Sequence, residues 1–513
     1  GVYISKANIQ VQGHTAHNEL FVQGRSGEKI VKLDEQQELI STAALLKEFS
    51  HYLTWAPDPG KALEYFDQLL DELYGSRKQS LGLSLLKDKN LLGHLAKLFG
   101  SSDFLWEDLL RRQHANLLPA MTEFKEGSMI RTKSHLTRSL MARMKKCHST
   151  EERQSCLNTF KDQELFRIDM KHLIDTATLE EFSTALSTLA EVVLEHALIE
   201  SQQVIAKQYR KQAEDLQKQY AFSIFGLGKL GGAELGYASD IEVLFVYEMK
   251  QPTRRQSRTI SSEYFEQLVQ ELLRWIDAKK EGIFHIDTRL RPYGEKGLLA
   301  NSFDEMCEYY NPNGSAAPFE RQALIKLRHV AGDRELGEKV ERYRNTYVYS
   351  GEPWPLDVAL HLRDRQIKEL VPDRSIHVKY SQGGIIDIEY LIQYLQLFHG
   401  PNLPSLRSTN TLQALQVLRS NQLIQSKDSV ILHEDYLFFR RLIDALRIVR
   451  GHALDLILPE PQSDSMIFLA RRLGFVKDNW NIGAIDLEKE ITRRMKRTRK
   501  IFEAQLSRIN TTQ

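Results

Sequence analysis

Two acidic residues, Asp240 and Glu242, stand two positions apart at the start of the apolar segment IEVLFVYE. The length and composition of this segment are typical of a β-strand, in which side chains two apart point to the same face. We therefore expect both carboxylates to project together, while Ile241 and Val243 face the interior. Carboxylates on one face suit Mg²⁺, which also takes phosphate oxygens and water as ligands. A solvated strand end is the alternative explanation for the pair.

A third acid, Asp287, ends the predicted strand IFHID. On a strand beside the first pair it would complete a carboxylate triad, and three carboxylates can hold two metal ions about 4 Å apart. Such a pair of ions stabilises the attacking and leaving oxygens of a displacement at phosphorus. Arg289 and Arg291 follow Asp287. Arginines beside such a site can clamp phosphate, although ordinary surface ion pairs would also explain them.

Glycines follow the predicted strand AFSIF directly, at Gly226 and Gly228. Glycine lets the backbone turn sharply and approach a phosphate closely. A short helix starting near Gly231 would add its N-terminal amides, and Lys229 would add a cation. The string G-x-G-x-x-G is not the dinucleotide fingerprint, because the acidic pair comes too early for a ribose ligand. A plain turn is the alternative for a Gly-x-Gly pair.

The pattern of apolar residues divides the 513-residue chain into four segments, and such a length fits two to four domains. Residues 1–35 are β-prone and irregular. Residues 36–219 have the three- and four-residue spacing of helices. Residues 220–345 read as strand, loop, strand, helix and strand, which is a compact α/β unit. Residues 346–513 are helical again.

The bulk composition is that of an ordinary globular protein, with 42% hydrophobic and 27% charged residues. The formal net charge of +1 gives no general basic field, so we expect no nucleic-acid partner. No apolar run is long enough for a membrane span, and we expect none. Three cysteines without a CxxC pair favour a reducing, cytoplasmic setting. The basic run RRMKRTRK near the C-terminus is interpreted as a solvated helix end, with nucleic-acid binding as the alternative.

Several long segments resemble the glutamine synthetase adenylyltransferase family, within the polymerase-β-like nucleotidyltransferase superfamily. The resembling segments are GLGKLGGAELGYASDIEVLF (226–245), IDTRLRPYGEKGLLANS (286–302), PFERQALIKLRHVAGD (318–333) and VKYSQGGIIDIEYLIQYLQL (378–397). They follow one another in the family's order. The resemblance implies a mostly helical α+β protein, in which a polymerase-β-like nucleotidyltransferase α/β domain is flanked by N- and C-terminal helical domains.

Position by position, the resemblance implies that Asp240, Glu242 and Asp287 are catalytic and bind metal ions. It implies a nucleotide-binding role for a further set, which comprises Gly226, Gly228, Lys229, Arg289, Arg291, Lys326 and Arg328. It also extends to Lys379, Gly383, Gly384, Asp387 and Glu389. Glu242 stands where the family usually has Asp, and its longer side chain can still ligate Mg²⁺. The acids Asp387 and Glu389 would suit the first turn of a helix, and a role at the rim of the active site is the alternative.

Family enzymes carry two such catalytic halves, one adenylylating and one deadenylylating, and this chain has one. Its motifs are closer to the adenylylating half. The resemblance therefore implies transfer of AMP from ATP, the substrate, to a tyrosine of glutamine synthetase, with Mg²⁺ as cofactor. It implies glutamine synthetase as a partner, and a PII signal protein as a further candidate. The alternatives are deadenylylation by phosphorolysis and a catalytically weak regulatory binding module.

Overall fold

A computed structural model describes residues 2–12, 15–24, 43–75, 86, 88–101, 131–173, 177–209, 218–250, 258–278, 284–450 and 456–512. The chain divides into two compact packing units. The first unit comprises Gly1–Ser128, Asp169–Ala177 and Arg441–Arg493. The second unit comprises Met129–Ile168, Thr178–Arg440 and Arg494–Gln513, and it contains every candidate site residue.

The first unit combines a two-stranded sheet with short helices. Strands β1 (Val2–Gln12) and β2 (Thr15–Gly24) pair in an antiparallel register, within the segment predicted to be β-prone. The helical parts of this unit cover residues 43–50, Pro59–Gly75, Lys89–Phe99 and Asp464–Arg472. The rings of Phe49 and Phe66 stack in its core, with centroids 3.9 Å apart.

The second unit is built around a mixed sheet of five strands. These strands are β3 (Tyr220–Gly226), β4 (Ile241–Met249), β5 (Ile286–Asp287), β6 (Ala300–Ser302) and β7 (Arg328–Gly332). The order along the sheet is β5-β4-β3-β7, and β6 also pairs with β4. Strands β3 and β4 are antiparallel, as are β3 and β7, whereas β5 and β6 run parallel to β4.

The two central strands form because their residues can bury both faces. Every residue of β3 is buried, and Phe222 stacks on Phe265 with ring centroids 5.6 Å apart. Strand β4 begins with the predicted alternation, since Ile241 and Val243 are each 1% exposed and Glu242 between them is only partly buried. Strand β5 is shorter than predicted, because Phe284 takes a left-handed backbone with φ +56° that ends the extended chain.

Helices surround this sheet. Those of the second unit are Lys133–Met144, Leu179–Tyr209, Gly228–Gly231, Arg258–Trp275, Phe303–Tyr309, Pro318–Ala323, Arg334–Val348, Leu356–Leu370, Ile385–His399 and Thr411–Ser420. Three more helices contribute residues to both units, and they are Thr150–Leu173, Ser426–Arg450 and Trp480–Thr512. The mostly helical α+β class expected from the sequence is therefore confirmed. The four sequence segments stay a prediction about domains, and the two packing units cut across them.

One helix, Leu179–Tyr209, is long and apolar enough to cross a membrane by length and composition. Most of its apolar window, 72%, is buried inside the protein. It packs against the helix Arg258–Trp275 and strand β7. The core helix of a globular protein is buried in this way, so this helix is only weak evidence for a membrane span.

Candidate active site

The glycine turn after β3 brings the backbone directly against an acidic side chain. Gly228 has φ +47°, a left-handed conformation that glycine adopts without steric cost. A Cβ atom added to Gly228 would lie 1.5 Å from Oε2 of Glu242. The Leu227 amide donates to the carbonyl of Glu242 at 2.9 Å, which joins the turn to the start of β4. Glycine at position 228 is therefore what allows the Glu242 carboxylate to occupy its place.

The short helix after the turn begins earlier than expected. It covers Gly228–Gly231, a single turn, whereas the sequence suggested a start near Gly231. A Cβ atom on Gly226 would lie 2.8 Å from Cγ of Leu230, and one on Gly231 would lie 1.7 Å from the carbonyl oxygen of Lys326. Both glycines are therefore required for close packing of this turn.

The three predicted acids come together at one end of the sheet. Glu242 and Asp287 are register partners across the parallel pair of β4 and β5, and parallel neighbours lie about 4.8 Å apart. Asp240 immediately precedes β4, and its side chain is 47% exposed. Its carboxylate lies 3.9 Å from Nδ1 of His285. The adjacency that the sequence predicted for Asp287 and the first acidic pair is thus present in the fold.

The ionisation of Glu242 reflects this crowding. Burial raises the pKa of the Glu242 carboxyl, and the neighbouring carboxylates of Asp287 and Asp240 raise it further. The ammonium groups of Lys379 and Lys229 oppose the rise. Glu242 is therefore a carboxylate held in a place that disfavours its negative charge, which is the condition that a bound cation would relieve.

Asp287 is in a different electrostatic state, because Arg289 pairs with it. Burial would raise the pKa of Asp287, but hydrogen bonds from Arg289 lower it below its usual value. The Arg289 guanidinium donates to both carboxylate oxygens, with Nη2 at 2.7 Å from Oδ2, and its backbone amide donates to Oδ1 at 2.9 Å. The Arg289 side chain is otherwise 70% exposed. The residue predicted to clamp phosphate thus contacts the third acid.

Within the residues that the structure describes, no group of three or more His, Cys, Asp or Glu side chains is arranged to hold a metal ion. The two-metal arrangement therefore stays a prediction. The donor set nevertheless fits Mg²⁺ chemically, since all three side chains offer carboxylate oxygens. Both oxygens of Asp287 face Arg289, so ligation by Asp287 requires that guanidinium to turn away.

Lys229, the cation predicted to reach a phosphate, lies in a network of its own. Its ammonium pairs with the Glu389 carboxylate and lies 3.4 Å from the Tyr436 hydroxyl. Burial would lower the pKa of Lys229, but Glu389, with help from Tyr436 and Glu234, raises it above its ordinary value. The side chain keeps 30% of its surface exposed. Lys229 is therefore a firmly charged cation that is still accessible beside the glycine turn.

Glu234 is a buried carboxylate that contacts the cationic side chains next to the glycine turn. Lys326 donates to it at 2.9 Å, Lys229 lies 3.9 Å away, and the Thr411 amide also donates to it. Burial would raise the pKa of Glu234, but Lys326, Lys229 and Arg440 lower it to about 2. Glu234 is therefore ionised at any physiological pH, and it fixes the positions of the surrounding cations.

Three of the predicted nucleotide-binding cations make internal contacts. The ammonium of Lys326 is bonded to Glu234 and, at 2.8 Å, to the Thr411 hydroxyl. Arg328 donates to the carbonyls of Leu230 and Gly231 and to Glu191. Arg291 donates to the carbonyls of Thr288, Glu295 and Gly297. These contacts favour a role in holding the turn and the loop after Asp287, and direct contact of the three with a nucleotide stays a prediction.

Some members of this site were missed or left outside the predicted set. Glu234 lies within the glycine-rich segment, and an acid between a glycine turn and a carboxylate pair could have been noticed there. Lys379 stood in the resembling segments without an assigned role. Glu389, for which the active-site rim was the alternative to a helix first turn, pairs with Lys229 in the fold. Asp387, in the first turn of its helix, is fully buried and bonded to Arg363 at 2.8 Å.

The basic run near the C-terminus is engaged with acidic side chains. Arg494 and Arg497 both donate to the buried carboxylate of Asp435, and Arg499 pairs with Glu503 at 2.7 Å. The expectation of a helix end was wrong, because the run lies in the middle of the helix Trp480–Thr512. Its ion pairs neutralise much of its positive charge.

The fold and the site together define an α+β protein in which acids from two neighbouring strands meet a glycine turn. Residues 92–343 match the family model described as glutamate-ammonia ligase adenylyltransferase. This region, just under half of the chain, belongs to that family of nucleotidyltransferases. A second family model, described as GlnD PII-uridylyltransferase, matches residues 361–506.

Curated relatives carry the same family name. The chain is 35% identical over 317 residues to the bifunctional glutamine synthetase adenylyltransferase/adenylyl-removing enzyme of Stenotrophomonas maltophilia. The aligned region is 60% of this chain and 33% of the relative. The enzyme of that name from Corynebacterium glutamicum is 28% identical over 82% of this chain and 40% of its own length. That from Mycobacterium tuberculosis (strain ATCC 25618 / H37Rv) is 29% identical over 90% and 46%. The chain thus spans less than half the length of these relatives.

Proposed function

We propose that this chain transfers AMP from ATP to a tyrosine of glutamine synthetase. The observation that carries the proposal is the contact between the Glu242 carboxylate and the Gly228 turn, with Asp287 as the register partner of Glu242. A triphosphate needs a backbone turn that it can approach closely, and carboxylates beside it that can take cations. The names of the curated relatives support glutamine synthetase as the acceptor.

In this proposal Asp240, Glu242 and Asp287 would hold Mg²⁺. When bound, the ion would neutralise the charge on the phosphates and favour displacement at phosphorus. The raised pKa of Glu242 supports the assignment, because a nearby cation would favour its ionised form. Cation binding should therefore be strongest where the three carboxylates crowd one another.

The protein's own cations complete the phosphate site. Lys229 is charged and partly exposed beside the turn, so it would contact the triphosphate. The Arg289 side chain is 70% exposed, so its guanidinium can turn towards solvent or a bound phosphate. The Arg289 guanidinium would leave Asp287 and bind a phosphate oxygen, so that the Asp287 carboxylate is free to bind Mg²⁺. Lys326, Arg328 and Arg291 would hold the backbone around these groups.

The reaction is an in-line displacement at the α-phosphorus. The tyrosine oxygen forms a bond to this phosphorus, and the bond from phosphorus to the pyrophosphate oxygen breaks. The phenolic proton passes to a base. Asp287 would accept this proton once the Arg289 guanidinium has turned to a phosphate oxygen and no longer donates to its carboxylate.

A second activity has support from the relatives, whose names include adenylyl removal. In that reaction a phosphate oxygen would attack the AMP–tyrosine ester at the same acids, which releases ADP and free tyrosine. The match to the PII-uridylyltransferase model supports a PII signal protein as a further proposed partner.

The test is incubation with α-labelled ATP, Mg²⁺ and glutamine synthetase, for the parent and for Asp240→Asn. Asp240 is exposed, so this change should leave folding intact and abolish labelling. Asp373→Asn is the matched control, because Asp373 is also an exposed acid. A parallel incubation with adenylylated glutamine synthetase and phosphate separates the two activities through ADP release. Equal labelling by the parent and Asp240→Asn would remove the acids from the proposed mechanism.

A further inference from the structure

The loop between Asp287 and strand β6 is held closed by one buried side chain. The guanidinium of Arg291 donates to the carbonyls of Thr288, Glu295 and Gly297. These carbonyls belong to the two ends of the loop, and the Arg291 side chain itself is buried. The loop therefore has a fixed position beside Asp287, the proposed acceptor of the phenolic proton.

Tyr293, in the middle of this loop, combines a strained backbone with an exposed side chain. Its φ of +63° is left-handed, a conformation that is usually left to glycine, asparagine or aspartate. Tyr293 is also 64% exposed, and one contact of its ring is edge-to-face with Tyr309, at 4.7 Å between centroids. Neither backbone preference nor burial explains a tyrosine at this position. Strained residues that their surroundings hold in place are concentrated at functional sites.

A second aromatic side chain, Phe319, is exposed on the neighbouring helix Pro318–Ala323. Phe319 is 49% exposed, and it lines the same cavity as Leu290 of the loop. The residue after it, Glu320, accepts a hydrogen bond at 2.9 Å from the hydroxyl of Tyr309, on which Tyr293 packs. Tyr309 thus connects the loop to this helix. Tyr293 and Phe319 are called the aromatic patch below.

Exposed aromatic rings with polar neighbours are typical of a protein interface. Aromatic residues are enriched at the centres of interfaces, and polar residues form the rim. Covering such rings with a partner removes apolar area from water, which is favourable. Glu295 and Lys296, which follow Tyr293 in the loop, are exposed and would supply polar groups of a rim. The aromatic patch therefore has the composition of a docking surface for apolar side chains.

We propose that the aromatic patch docks the polypeptide segment that carries the acceptor tyrosine, an inference that rests on the proposed function. A tyrosine that belongs to a protein can reach a phosphorus beside Asp287 only if that protein covers the surface around Asp287. Six residues of chain lead from Asp287 to Tyr293, so their Cα atoms are at most about 22 Å apart. An extended segment of about seven residues spans that distance. The patch fits a segment with apolar side chains near its tyrosine, because the two rings offer apolar faces.

Steady-state labelling separates docking of the acceptor from binding of ATP. The initial rate is measured against the concentration of glutamine synthetase at saturating ATP, and against that of ATP at saturating glutamine synthetase. The proteins compared are the parent, Tyr293→Asn and Phe319→Ser. Asparagine suits a left-handed backbone better than tyrosine does, so Tyr293→Asn removes the ring without added strain.

Met141→Ser is the matched control for loss of an exposed apolar side chain. Met141 is 48% exposed, and its helix, Lys133–Met144, carries neither residue of the aromatic patch. A thermal unfolding curve for each variant checks that it is folded.

Each patch variant should raise the KM for glutamine synthetase by about tenfold, which is about 1.4 kcal/mol, because an aromatic anchor is lost. The KM for ATP should stay at the parent's value. Tyr293→Asn should unfold close to the parent's temperature, since the relieved backbone strain offsets the lost contact with Tyr309. Met141→Ser should leave both KM values unchanged.

Two results would overturn the docking surface while the proposed function stands. One is labelling of glutamine synthetase in which both patch variants keep the parent's KM for this acceptor, even where an unfolding temperature falls. The other is a raised KM for ATP in either patch variant, which would assign that ring to the nucleotide. If the parent labels no glutamine synthetase at all, the proposed function itself fails and the docking surface fails with it.

Discussion

Replacement of Gly228 by alanine puts a methyl group where the Glu242 carboxylate lies. The added Cβ would be 1.5 Å from Oε2 of Glu242, and contacts under 3.0 Å essentially do not occur. The carboxylate must therefore retreat by about 1.5 Å. Misplacement of a reacting group by about 1 Å can cost about 100-fold in rate. We expect Gly228→Ala to label glutamine synthetase at least about 100-fold more slowly than the parent.

The stability of Gly228→Ala should change much less than its activity. Its backbone φ of +47° costs an L-residue about 1–2 kcal/mol, and the displaced carboxylate belongs to a flexible side chain. Gly294→Ala is the matched control, because Gly294 has φ +58° and an added Cβ there meets no atom within 4 Å. Both variants carry the backbone cost, and only Gly228→Ala displaces Glu242.

The assay is the initial rate of label transfer from α-labelled ATP at saturating glutamine synthetase, with a thermal unfolding curve for each protein. We expect similar unfolding midpoints for the two variants and a large rate difference between them. If Gly228→Ala labels as fast as Gly294→Ala, the contact between Glu242 and the turn is irrelevant to catalysis, and the reasoning from the glycine fails.

Three further changes test the surrounding charges. Glu234→Gln leaves buried cations without their carboxylate and should lower the free energy of unfolding by about 3–5 kcal/mol in a denaturant titration at pH 7. Because the pKa of Glu234 is lowered from 4.5 to about 2, the stabilisation by this carboxylate is present above pH 4.5. The difference in unfolding free energy between the parent and the variant should therefore shrink as the pH falls towards 2. Arg289→Gln removes the bonds that lower the pKa of Asp287, so the acid limb of the pH–rate profile should move to higher pH, and an unmoved limb would exclude Asp287 from it. Arg363→Met leaves the buried Asp387 without its nearer cation and should lower the unfolding free energy by about 3–5 kcal/mol, while the folded fraction keeps its affinity for ATP.

Local pattern was sufficient to predict the elements that carry the acids. The alternation of Ile241, Glu242 and Val243 predicted which side chains would be buried, because a strand has a period of two. The glycines after β3 predicted a turn, because few other residues adopt the left-handed backbone found at Gly228. Strand β5 was harder, since the left-handed Phe284 that shortens it has no signature in the local sequence.

The partners of the charged side chains could not be predicted from local pattern. Lys229 and Glu389 are 160 residues apart in the chain, and Lys326 and Glu234 are 92 apart. A cation near a glycine turn suits a phosphate or a buried acid equally well in the sequence. Only the packing of the helix Ile385–His399 decides that Glu389 reaches Lys229, and packing over such a separation is a property of the whole fold.

Locating a bound cation would show whether Asp240, Glu242 and Asp287 hold divalent cations against a triphosphate. Crystals grown with Mn²⁺ and a non-hydrolysable ATP analogue would show manganese by its anomalous scattering. We predict a peak about 2 Å from oxygens of Glu242 and Asp287, with the Arg289 guanidinium turned away from Asp287. A bound analogue with manganese elsewhere, or with Arg289 still on Asp287, would contradict it.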